Sequence, residues 1–81
     1  MNTTLKFFAS LREACGRSED MFDLPDDSTV KDLREEAVKK YPGLSDIVPG
    51  TFTVVNMEYV ENDRVLKDGD EVAFIPPVSG G

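Results

Sequence analysis

The chain has 81 residues and a mass of 9.0 kDa, which is room for one small domain. Sixteen acidic residues against nine basic ones give a net charge of −7, which argues against binding a phosphate backbone. One cysteine and no histidine exclude an internal disulfide, a Cys/His metal site and a histidine general base, and no apolar run approaches the ~20 residues of a membrane span.

Met1 precedes polar Asn2, Thr3 and Thr4, so no secretory leader is expected. Thr4 to Phe8 is apolar and aromatic and predicts a strand, with Leu5 and Phe7 on one face and Lys6 and Phe8 on the other. Ser10 to Gly16 reads as a short helix, with Ser10 as N-cap and Gly16 as its stop. Asp20 to Leu24 predicts a second strand, ended by Pro25-Asp26-Asp27. The clearest element is a helix over Val30 to Tyr41. Thr29 and Asp32 form a capping box, and Val30, Leu33, Ala37 and Tyr41 share one face with Val38 beside it. Glu35 with Lys39 and Glu36 with Lys40 are favourable i,i+4 pairs, and Pro42-Gly43 ends the helix. Leu44 to Val48 suggests a further helical turn. Thr51 to Val55 and Glu58 to Val60 read as strands, and Asp68-Gly69-Asp70 as a tight turn. Glu71 to Ile75 is largely apolar and so is expected to be the central strand, stopped by Pro76-Pro77.

One long helix can cover only one face of such a sheet. The order fits an α+β fold of the β-grasp, ubiquitin-like layout. It would have a mixed sheet of about five strands, one main helix on one face, and the last strand parallel to the first. The domain is expected to span residues 1–77, with a Gly-Gly tail over residues 78–81.

The ending Val72-Ala73-Phe74-Ile75-Pro76-Pro77-Val78-Ser79-Gly80-Gly81, with Phe7-Phe8-Ala9, Arg12-Glu13 and Asp68-Gly69-Asp70-Glu71, resembles the small subunit of molybdopterin synthase, the MoaD family. The resemblance implies that the Gly81 carboxylate, next to Gly80, is adenylated by an E1-like enzyme. Sulfur from a donor protein then converts it to a thiocarboxylate. The large synthase subunit, expected in a heterotetramer, would receive the tail and transfer the sulfur to a pterin to form a dithiolene. The chain would be non-catalytic alone, bind no cofactor tightly, hold no metal and act in the cytoplasm without nucleic acid or membrane. ATP would serve the activating enzyme.

The residue types suit that chemistry. Two glycines can thread a channel that any side chain would block. Pro76 to Gly81 reach roughly 20 Å when extended, and the prolines stiffen the base of the tail. By the resemblance, Phe8, Tyr59 and Ile75, with Pro76, Pro77, Val78 and Ser79, form the partner-binding surface. A thiamine-type sulfur carrier and a ubiquitin-related modifier conjugated through Gly81 are the alternatives. Cys15 suggests a persulfide carrier, but its setting reads as core. Glu19, Asp20, Asp23, Asp26 and Asp27 match no calcium loop and read as a solvated acidic surface facing basic partners. Arg12 is expected in a surface salt bridge.

Overall fold

The computed structural model describes residues 1–77. Strands β1 (Asn2–Phe7), β2 (Glu19–Asp23), β3 (Phe52–Val55), β4 (Glu58–Val60) and β5 (Glu71–Ile75) form one sheet in the order β2-β1-β5-β3-β4. β5 is the middle strand, parallel to β1 and antiparallel to β3, and the two hairpin pairings are antiparallel. Helix α1 (Ser10–Cys15) interrupts the β1–β2 hairpin, and α2 (Val30–Lys40) is the long helix. This is the mixed β-grasp sheet expected from the order of elements.

Alternation along the strands sorts the side chains. Leu5, Phe7, Val55, Val72 and Phe74 point inward, where Val30, Leu33 and Ala37 of α2 join them in one core. Full burial of such side chains is worth about 1.5–3 kcal/mol each. Leu11, Leu24, Leu44, Val48 and Leu66 close the core at its ends. Thr3 and Thr53 also face inward, although they are polar. The Thr3 hydroxyl donates to the Phe22 carbonyl, and the Thr53 hydroxyl accepts from Arg34. No buried side-chain nitrogen or oxygen among the described residues lacks a partner.

The Thr29 and Asp32 capping box is formed: the Asp32 amide donates to Thr29 Oγ1 and the Thr29 amide to Asp32. The first α2 amides also find acceptors in the β4–β5 connection, Val30 on the Arg64 carbonyl and Lys31 on that of Asn62. Arg34 reaches across from α2. It donates to the carbonyls of Val48 and Thr51 and sits 5.5 Å from the Phe74 ring centroid. That side chain ties the helix to the loop before β3, a role its position in the sequence did not announce.

Four details differ from the sequence reading. Ser10 is the first helical residue, and Ala9 occupies the N-cap with no side-chain cap, because the chain turns there through φ +49°. Gly16 ends α1 in the left-handed conformation, as expected. The expected turn over Leu44 to Val48 is two 3-10 turns, Pro42–Leu44 and Val48–Gly50, each built around a proline. Neither i,i+4 pair on α2 forms: Lys39 meets Glu36 at 3.4 Å, and Lys40 turns to Asp20 on β2 at 2.6 Å. Arg12 is exposed and makes no salt bridge among the described residues.

Candidate functional site

The sheet face opposite α2 is open. Register places Phe52 beside Ile75, and Val54 between Tyr59 and Ala73. These residues have the opposite strand parity from the core, so they point away from the helix. Phe7 and Phe74 are the last β1–β5 pair, and the residues after them, Phe8 and Ile75, leave at the same end of the sheet. Phe8, Phe52 and Tyr59 are 47%, 58% and 74% exposed, too much apolar surface in one place to be incidental. Phe52 and Tyr59 pack edge to face with ring centroids 6.4 Å apart. A shallow depression runs between Phe8, Val54, Met57, Tyr59 and Ile75. The Lys6–Glu71 ion pair, 3.4 Å apart and exposed, lines it as well.

Phe8, Tyr59 and Ile75, read from the sequence as a surface, are thus brought onto one face. Pro76 is half-buried and Pro77 exposed where the chain leaves the central strand. Val78, Ser79, Gly80 and Gly81 lie outside the described residues. The sequence reading missed Phe52, Val54, Met57 and Ala73. The alternation that separates Phe8 from Phe7 also selects Phe52, Val54 and Ala73.

The face carries aromatic and aliphatic groups, with the Lys6–Glu71 ion pair among the residues that line its depression. It can dock an apolar partner surface. Among the described residues no group of three or more carboxylates or thiols is placed to hold a metal ion. No helix there is long and apolar enough to cross a membrane.

Cys15 lies elsewhere, half-buried against the core. Burial first, and then the nearby Asp20 charge, push its thiol up, with Arg17 opposing. The thiolate is disfavoured, which is the reverse of what a sulfur nucleophile needs.

Asp20 is not part of a solvated acidic surface. Its position on β2 turns it toward the end of α2, where its side chain is 11% exposed. Lys40 Nζ approaches to 2.6 Å, the Tyr41 hydroxyl donates at 2.6 Å and the Met21 amide at 2.8 Å. Arg17 stands at 3.8 Å and donates to the Tyr41 hydroxyl. Burial alone would raise the Asp20 pKa, but the Lys40, Tyr41 and Met21 hydrogen bonds outweigh it and hold the carboxyl at about 2, against an ordinary 3.8. The unfolded chain therefore takes up the proton first as pH falls. The stabilisation is complete above about pH 5 and is lost progressively as pH falls from there through 2, and it amounts to about 2 kcal/mol. Asp20→Asn is expected to lower the Tm at pH 7 and to flatten its fall between pH 4 and pH 2. An unchanged melting profile would show that the cluster contributes nothing to stability.

A family model described as the ThiS family matches residues 5–81. A molybdopterin synthase sulfur carrier subunit from Chlamydomonas reinhardtii is 39% identical over 83 residues, covering 100% of both chains. Among solved structures, the small archaeal modifier protein 1 of Haloferax volcanii superposes with a TM-score of 0.90 at 30% identity, covering 100% of each chain. A putative molybdopterin converting factor, subunit 1, from Pyrococcus furiosus superposes at 0.89 with 34% identity, covering 96% of this chain and 99% of that one.

Proposed function

The chain belongs to the ThiS family, among the molybdopterin synthase sulfur carrier subunits, and on that premise we propose that it carries sulfur on the carboxyl group of Gly81. The observation that carries this reading is the match running through Gly81 on a domain whose central strand leads directly into the tail. A carboxylate is a poor electrophile because oxide is a poor leaving group. Adenylation by an ATP-dependent activating enzyme solves this by making AMP the leaving group. Sulfur drawn from a persulfide donor, with a thiol completing its release, displaces AMP and leaves the thiocarboxylate. That sulfur is ionised at neutral pH and is the nucleophile offered to the pterin.

The partner that receives the tail is the large synthase subunit, and the open face with Phe8, Phe52, Tyr59 and Ile75 is the surface that docks on it. Docking there, at the end of the sheet where β5 gives out, brings Pro76 up to the partner. ATP is a co-substrate of the activating enzyme, and this chain keeps no cofactor of its own.

The test is the intact mass of the protein from its native host. A species heavier by one oxygen-to-sulfur exchange, mapped to the C-terminal peptide, is expected. Gly81 found instead in amide linkage to lysine side chains would put the protein-modifier reading first. That second reading is favoured by the likeness to the archaeal modifier. Both uses begin with the same adenylation.

A further inference from the structure

The β3–β4 hairpin turns on two residues, Asn56 and Met57, between the paired Val55 and Glu58. Both have positive φ, +49° and +71°. That is the signature of a type I′ turn, whose second position strongly favours glycine because a Cβ crowds the left-handed backbone. Asn56 suits its place. Its amide donates to the Glu71 carbonyl, its side chain donates to Asp70 and its side-chain oxygen accepts from the Glu71 amide, all within 3.0 Å. Asp70 is itself buried and accepts from the Lys67 amide at 2.8 Å. The turn is therefore clamped at its base. Met57 has no such reason to be there. It is 95% exposed, so no contact within the fold compensates for its backbone conformation.

Strain that the fold does not use points to a use outside the fold. Met57 borders the same depression as Phe8, Val54, Tyr59 and Ile75. It is an unbranched, polarizable side chain on a rigid mount, which suits an irregular partner surface. We propose that Met57 is a docking anchor that extends the open face around the hairpin tip and inserts into an apolar depression of the large synthase subunit. Exposed Glu58 follows it and forms no ion pair among the described residues, so the receiving depression carries a basic side chain at that edge. This inference rests on the reading of the open face as the large-subunit interface.

The experiment compares the Kd for the large subunit and the Tm of the wild-type chain, Met57→Gly, Met57→Asn and Phe8→Glu. Both Met57 replacements tolerate the left-handed backbone, so the fold is kept. Met57→Gly is expected to weaken binding about fivefold to tenfold while raising the Tm by about 2–5 °C, and Met57→Asn to weaken binding similarly. If Phe8→Glu weakens binding and both Met57 variants bind like the wild type, the anchor is overturned and the open-face interface stands. If Phe8→Glu and the Met57 variants all bind normally, the interface reading falls and the anchor with it. A lower Tm for Met57→Gly would overturn the strain argument.

Discussion

Deleting Gly81 is expected to abolish sulfur transfer to the pterin while leaving the thermal melt unchanged. The fold should not notice, because the buried hydrophobic residues of the described chain end at Phe74. The chemistry should notice a great deal. Gly80 would still present a carboxylate, but about 3.3 Å short of its place. A misplacement of about 1 Å costs a reaction ~100-fold, so one residue of reach is more than the transfer can lose. Single-turnover conversion of pterin precursor by the reconstituted two-subunit enzyme measures this. Full activity from the truncated chain would overturn the assignment of Gly81 as the sulfur-bearing residue.

Much of the fold was legible because local rules and tertiary packing agree in most places. The capping box at Thr29 and Asp32, the glycine stop at Gly16 and the apolar run of Glu71 to Ile75 each proved to be what their residue types suggest. The open face was half legible. Alternation separates Phe7 from Phe8 cleanly, yet along Phe52 to Val55 both faces look apolar, and the inward position is polar Thr53. Thr53 can face inward only because Arg34, on a distant helix, serves its hydroxyl. The ion pairs were illegible for the same reason. Lys40 has Glu36 one turn away, but Asp20 offers a sheltered carboxylate already oriented by the Met21 amide and the Tyr41 hydroxyl. An exposed helix pair is worth about 0.3–0.5 kcal/mol, and the sheltered cluster exceeds that. The strain at Ala9 and Met57 was invisible too, since neither residue type signals a positive φ.

Neighbouring residues on β5 are expected to fail in opposite ways. Phe74 is fully buried between Phe7 on β1 and Thr53 on β3, with the Arg34 guanidinium over its ring. Phe74→Ala removes a ring from the middle of the sheet and leaves a cavity that the strands cannot close. The cost is about 3–5 kcal/mol, which for a domain this small lowers the Tm by more than about 15 °C. Ile75 points the other way, half-exposed beside Phe52 on the open face. Ile75→Ala should cost less than about 1 kcal/mol of stability, while weakening binding to the large subunit about tenfold. Thermal melts and binding titrations of the two variants read both quantities. Equal losses of stability would mean that the face opposite α2 is part of the core and is not a docking surface. The expected split follows from strand parity alone: one strand holds the sheet together with one side chain and offers the next to the partner, immediately before the chain leaves the sheet at Pro76.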